Sequence, residues 1–218
     1  WNVEVSSMLL DPIAASFSAG IGYLVGSLSF GYWIAKANGV DIFSVGSKSP
    51  GATNVKRSVG NVAGNTVFVL DFFKGILATG WPLFAYSKLE YSESYGLIGL
   101  FAAVIGHSFS VFTRFRGGKG VAAMLGGVVA LMPYAALIGI VVWLVVFYST
   151  RYVSVASILM SISLPVSNRL LDSSVSLFWM SMALALVVIV RHKSNISRLL
   201  KGEENRFEKK SARAEGNQ

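Results

Sequence analysis

The stretch GVAAMLGGVVALMPYAALIGIVVWLVVFYST, residues 120–150, decides the fold. It runs for 31 residues without Asp, Glu, Lys or Arg. As one helix it would be about 46 Å long, against a hydrocarbon core of about 30 Å. Pro133 stands near its middle, where a proline removes a backbone donor and crowds the preceding turn. Two short passes joined at Met132–Pro133 are therefore the alternative to a single long one.

Outward from this stretch, charge-free segments cover 12–35, 58–70, 75–87, 94–113, 152–168 and 173–190. A spanning helix needs about 17–25 residues, so 12–35, 94–113, 152–168 and 173–190 each suit one pass. Segments 58–70 and 75–87 make one more if Asp71 and Lys74, three residues apart on one helix face, pair inside it. Loop charge chooses between six passes and seven. With seven and a cytoplasmic tail, 16 of the 19 Lys and Arg lie inside or at the inner boundary; with six the split is 10 inside and 8 outside. An inside excess of cations favours seven. The N-terminus is then outside, in agreement with Glu4 and Asp11 before the first pass and Lys36 after it. The expectation is an all-α polytopic membrane protein with seven transmembrane helices, N-terminus outside and C-terminus cytoplasmic. Residues 1–200 form one integral membrane domain, and 201–218 a polar cytoplasmic tail of mixed charge that reads as solvated and partly disordered.

Composition agrees. Of 218 residues 53% are hydrophobic and 14% charged, and the mean hydropathy is +0.58. Soluble domains carry about 25% charged residues, so a soluble enzyme, a disordered chain and a coiled coil are disfavoured. The net charge of +8 is mostly inner-loop charge, so membrane lipids and not nucleic acid are the expected partners, and no obligate protein partner is inferred. Absence of cysteine removes disulfides, zinc-thiolate and iron–sulfur sites and a thiol nucleophile. There is no aspartate cluster to hold magnesium, and neither a metal nor a cofactor is expected. The His-x-x-x-x-Asp pattern of CoA-dependent glycerolipid acyltransferases is missing: Phe112 stands five residues after His107, and Ser197 five after His192. No Ser-His-Asp set is evident. The chain starts at Trp1, as a trimmed chain would, and its opening acids differ from the positive start of a secretory signal, so no cleaved signal is expected.

The polar chemistry gathers on the inner side. Residues 45–60, VGSKSPGATNVKRSVG, combine glycines, hydroxyls, an amide and three cations with no acid. Freed N–H groups, hydroxyls and an Arg are what a phosphate needs, although a flexible basic loop capping a helix would look alike. Residues 106–122, GHSFSVFTRFRGGKGVA, place Gly-Gly-Lys-Gly at the start of a helix, where amides and dipole attract anions. The spacing is not that of a nucleotide-binding P-loop, and a positive-inside anchor reads equally well. Asp71-Phe-Phe-Lys74-Gly75 lies inside a span, where ionisable groups are costly; a structural ion pair is the preferred reading over a catalytic one. In Arg191-His192-Lys-Ser-Asn195, His192 and Asn195 share a helix face, as they also would on a plain interfacial helix.

Together these segments resemble one family. Gly46-Ser-x-x-x-Gly51-Ala-Thr-Asn-x-x-Arg57-x-x-Gly60, Asp71-x-x-Lys74-Gly75, Gly106-His-x-Phe-x-x-Phe112-x-x-Phe115-x-Gly117-Gly-Lys-Gly120 and Arg191-His-x-x-Asn195 are similar to the motifs of the bacterial acyl-phosphate:glycerol-3-phosphate acyltransferases, over about residues 20–204. The resemblance implies a seven-helix inner-membrane enzyme with a cytoplasm-facing site. It would move a fatty acyl group from acyl phosphate to the 1-hydroxyl of glycerol 3-phosphate, giving lysophosphatidic acid and phosphate, without CoA or acyl carrier protein as direct donor. It implies catalytic roles for Arg57, Lys119, His192 and Asn195, and substrate binding by Gly46, Ser47, Lys48, Ser49, Thr53, Asn54, His107, Gly117, Gly118, Ser154, Ser157 and Glu204. Lys119 and the Gly117–Gly118 amides would neutralise phosphate. For the hydroxyl proton His192 is one acceptor and a substrate phosphate oxygen the other, and the phosphate is preferred. Lys48 and Ser49 stand where the family usually has Gly-Asn, and Ser110 where it has Pro. Lys48 is expected to contact phosphate directly.

A membrane transporter of anions or lipid phosphates is the alternative, on the strength of Asp71–Lys74 and the cationic loops. Against it, no inverted repeat is visible and the outer loops are short. A scaffold for anionic lipid needs only the basic tail and leaves the Gly-Ser-Thr-Asn loop without a role.

Overall fold

Among the described residues, 10–89 and 91–207, every regular element of the computed structural model is helical. Glu4 and the tail beyond 207 lie outside them. α1 (Pro12–Ser27) starts on Asp11, whose Oδ1 accepts the Ile13 N–H at 2.9 Å, with Pro12 in the first turn where its missing N–H costs nothing. A break at Leu28–Ser29 leads to α2 (Phe30–Ala37), and the first inner loop carries the short α3 (Ala52–Ser58). α4 (Asn61–Ala85) and α5 (Ser92–Ser108) follow. Next come a 3-10 turn (Val111–Thr113) and a loop in which Arg114, Phe115 and Gly120 take φ of 53°, 60° and 81°. α6 (Val121–Leu131), α7 (Pro133–Thr150), α8 (Val153–Leu170), α9 (Val175–Arg191) and α10 (Lys193–Leu200) complete the chain.

The expected break within 120–150 is present. α6 ends at Leu131, Met132 leaves the helix at φ −139° and ψ 65°, and Pro133 opens α7 at the position that proline tolerates. α6 packs on α4 and α7 on α8. By length and composition Pro12–Ala37, Asn61–Ala85, Ser92–Thr113, Pro133–Thr150 and Val153–Leu170 can each cross a membrane. α9 and α10, bent by 57°, make a sixth if taken together. The structure thus carries five or six full-length spans where seven were expected. Two elements account for the difference: α6 has 11 residues, about 16 Å, between Gly120 and the Pro133 break, and α9, with 17, counts only together with α10.

Helix contacts rely on small residues. A Cβ on Gly26 of α1 would overlap the Ala103 backbone of α5, and one on Gly126 of α6 would overlap Phe72 of α4. Such approaches let helices pack where burial away from lipid gives little driving force. Leu100, Val104, Met124, Val128, Leu164 and Leu184 fill the interior. Phe17, Phe84, Leu137, Val145 and Trp179 face outward, as a lipid-facing surface requires. The Asp71–Lys74 pair is formed inside α4, Nζ to Oδ1 at 2.7 Å, with 3% exposure on each side chain. Lys74 Nζ also donates to the Leu28 carbonyl at the α1–α2 break, at 2.7 Å, so the pair ties α4 to that break.

Candidate functional site

Asn54 organises the first inner loop. Its Oδ1 accepts the Ser47 N–H at 3.0 Å, and its Nδ2 donates to the carbonyls of Val45 at 3.1 Å and Ser49 at 3.0 Å. The buried amide thereby closes the loop, and Ser47, Ser49, Thr53 and Asn54 itself line a cavity. Ile42 and Val55, both fully buried, anchor the loop from behind.

The second contribution is the Gly117-Gly118-Lys119 turn. The Gly118 N–H donates to the His107 carbonyl at 3.0 Å, and the Arg191 guanidinium donates to the carbonyls of Gly117 and Gly118. Lys119 Nζ reaches Asn195 Oδ1 at 2.5 Å. Gly120 and Val121, at the start of α6, also line the cavity, and the first N–H groups of a helix have no intrahelical acceptor.

The third contribution is the bend between α9 and α10. His192 sits at the bend with Nδ1 2.7 Å from the Val188 carbonyl, which leaves Nε2 as its free nitrogen. Glu204, from the tail, completes the polar lining. Its Oε1 accepts from Ser154 Oγ at 2.9 Å and Asn195 Nδ2 at 2.6 Å, and its Oε2 from Arg198 Nε at 2.8 Å.

The cavity is about 460 Å³, within the range of small-molecule sites. Its polar lining includes Ser47, Thr53, Arg57, Asp71, His107, Lys119, Ser154, His192, Asn195, Arg198 and Glu204; its apolar lining includes Phe68, Phe72, Leu125, Ile140, Trp143 and Met160. Three cations, Arg57, Lys119 and Arg198, stand in this lining against two carboxylates, Asp71 and Glu204, and Asp71 is already paired with Lys74, so the balance favours anions. Burial, aided by the nearby Arg198, Arg57 and Arg191 and opposed by Glu204, lowers the Lys119 ammonium to about 8. Burial, together with the Lys119 charge, lowers His192 to about 4. Burial raises the Glu204 carboxyl, but hydrogen bonds from Asn195, Ser154 and Arg198 outweigh it and hold the group below the usual carboxylate range.

The expected residues divide. Ser47, Ser49, Thr53, Asn54, Arg57, His107, Lys119, Ser154, Ser157, His192, Asn195 and Glu204 line the cavity; Gly46, Lys48, Gly117 and Gly118 do not. Gly46, at φ 55°, instead makes room for the Asn54 side chain. The Gly118 amide is engaged by His107, so it is not free to bind phosphate. Lys48 is exposed and does not line the cavity, and its φ of 53° is one that glycine adopts without strain. Lys48→Gly is accordingly expected to raise stability by about 1 kcal/mol and to leave both KM values within about twofold, measured by thermal unfolding in detergent and by steady-state kinetics. Arg198 and Trp143 were missed. Arg198 lies three residues after Asn195 on α10, a spacing that could have revealed it. Trp143, whose Nε1 donates to Ser157 Oγ at 3.3 Å, stands in an apolar helix that gives no such signal.

A family model described as glycerol-3-phosphate acyltransferase matches residues 16–202. The glycerol-3-phosphate acyltransferase of Aquifex aeolicus (strain VF5) is 44% identical over 195 residues, covering 88% of this chain and 99% of that protein. That of Endomicrobium trichonymphae is 41% identical over 188 residues, covering 86% and 92%. The crystal structure of PlsY (YgiH), an integral membrane glycerol 3-phosphate acyltransferase, in its glycerol 3-phosphate form superposes with a TM-score of 0.83 at 42% identity, covering 89% of this chain and 96% of that one. Its lysophosphatidic acid form gives 0.80 at 41%, covering 89% and 95%.

Proposed function

The chain belongs to the glycerol-3-phosphate acyltransferase family, and from that membership we propose that it transfers a fatty acyl group from acyl phosphate to the 1-hydroxyl of sn-glycerol 3-phosphate. The products are lysophosphatidic acid and inorganic phosphate. One observation supports the reading: cationic and hydroxyl side chains line the same cavity as the apolar side chains of Phe68, Phe72, Leu125, Ile140, Trp143 and Met160. Phosphates suit the first and an acyl chain the second.

In the reaction the 1-hydroxyl oxygen attacks the acyl carbonyl carbon, the carbon–oxygen bond to phosphate breaks, and the hydroxyl proton passes to a phosphate oxygen. The leaving group is good, so the protein's task is to hold two anions together and orient the hydroxyl. Arg57, Lys119 and Arg198 offset their repulsion, and the N-terminus of α6 adds its dipole. Ser47, Thr53, Ser154 and Asn195 supply further polar contacts along the wall.

A base near 4 accepts little of a proton from an alcohol, so His192 serves as an orienting acceptor through Nε2 and the proton goes to substrate phosphate. His192→Gln is expected to keep measurable turnover and mainly to raise KM for glycerol 3-phosphate. A fall in kcat beyond about 10⁴-fold, the upper range for acid–base help, would overturn substrate-assisted transfer.

The proposed topology has seven passes, with α6 as a short one that starts at the site, the N-terminus outside and the site facing the cytoplasm. It places the chain in the bacterial inner membrane. Inside-facing charge supports it. Purified protein given acyl phosphate and glycerol 3-phosphate together should release phosphate and form lysophosphatidic acid. No release beside an active control enzyme would sink the reading, and phosphate flux across reconstituted vesicles without acyl transfer would favour a transporter.

A further inference from the structure

Arg191 does not line the cavity, yet its guanidinium is devoted to the turn that carries Lys119. Nε donates to the Gly118 carbonyl at 3.1 Å, and Nη2 donates to Gly118 at 2.9 Å and Gly117 at 3.1 Å. The guanidinium carbon lies 4.9 Å from the centre of the Phe109 ring. From the opposite side the turn rests on His107. The Gly118 N–H donates to the His107 carbonyl at 3.0 Å, and a Cβ on Gly118 would meet the His107 imidazole. The turn is thus gripped between the end of α5 and the last residue of α9. His192 follows Arg191 directly and Asn195 lies one turn on, so a single side chain spans the gap that the Lys119–Asn195 bond closes.

We propose that Arg191 is a positioning residue, which locks the Gly117–Gly118 turn to the end of α9 and so holds the Lys119 ammonium against Asn195 among the polar side chains that line the cavity. The inference rests on the reading of Lys119 as a phosphate-holding cation. A residue needed only as inside-facing charge could be Lys as well as Arg. A residue that must serve two carbonyls at once needs the planar fork of donors that lysine lacks. Arg191→Lys therefore keeps the charge and loses the clamp.

The test reads Lys119 itself in the purified full chain, without any need for turnover. Acetylation of amines at a series of pH values, followed by mass spectrometry of the Lys119 peptide, gives the midpoint of its titration. In the unmodified protein that midpoint is expected at about 8. In Arg191→Lys the released amine meets water, and the midpoint rises toward the ordinary lysine value of about 10.4. Gly118→Ala pushes the turn from the His107 side with Arg191 intact, and the same rise is expected. It decides the matter if Arg191→Lys does not fold. A midpoint unchanged in a folded Arg191→Lys protein overturns the proposal, as does one unchanged in Gly118→Ala when only that variant folds. Phosphate release by the unmodified protein tests the acyltransferase reading separately, so a shifted midpoint in an inactive protein would sink that reading alone.

Discussion

Replacing Lys119 by methionine is expected to lower kcat about 10²–10³-fold, the range for removal of one preorganised donor from developing charge, and to raise KM for both phosphate-bearing substrates. The ammonium is bonded to Asn195 at 2.5 Å and stands where the first loop, the start of α6 and the tail converge. Methionine keeps the length of the side chain and removes its charge. The pH dependence sharpens the expectation. A lysine near 8 is cationic below that pH and neutral above it. If the cation is the working form, kcat/KM, which reports the free enzyme, falls above about pH 8 by up to tenfold per unit. In kcat the limb moves upward, because a bound phosphate favours the charged lysine. Lys119→Arg should abolish the limb, since a guanidinium does not lose its proton in this range, while the different shape costs part of the rate. A kcat/KM that instead rises through pH 8 would identify the neutral amine as the working form and overturn the phosphate-holding role.

Much of the architecture was legible because lipid imposes a simple rule on sequence. Charge-free segments became helices, and Pro133 marked a real break, since a proline that cannot donate is best placed at a helix start. The charge-free start at 120 and the break at Pro133 already marked the first of the two passes as short. α6 is accordingly shorter than its neighbours, held between Gly120 and the Pro133 break. The site was legible by residue type more than by role. Asn54, expected at the site, lines the cavity and also closes its own loop, with Nδ2 donating to loop carbonyls and Oδ1 accepting the Ser47 N–H. Gly117 and Gly118 looked like bare amides and prove to be the grip for Arg191 and His107. The apolar lining of the cavity could not be read in advance. On an all-apolar helix such as α7, the pattern does not separate Trp143, which lines the cavity, from Leu137, which faces outward.

Removing the carboxylate of Asp71 should be the most damaging single change to stability. Asp71→Leu leaves the Lys74 ammonium inside a span with the Leu28 carbonyl and the face of the Phe30 ring but no counter-charge. Breaking one side of a buried pair costs about 3–5 kcal/mol, and for a chain of this size that corresponds to a fall in Tm of about 6–20 °C. Replacing both members, Asp71→Leu with Lys74→Met, removes the stranded charge and gives up the bond to Leu28, the contact with the Phe30 ring and the approach of Asp71 to His107. The double variant should therefore recover to within about 1 kcal/mol of the parent, measured by thermal unfolding in the same detergent. If the single and double variants are equally unstable, the pair contributes through its attraction and not merely through mutual cancellation of burial cost. Activity then separates fold from site. Asp71 Oδ1 lies 3.6 Å from His107 Nδ1, and both residues border the cavity, with His107 bearing the Gly118 amide. The double variant leaves that imidazole facing leucine. It is expected to regain stability without regaining full kcat/KM, because the pair's cost in the membrane is offset by what it does for the turn beneath Lys119. Full recovery of both would make the pair a packing device alone.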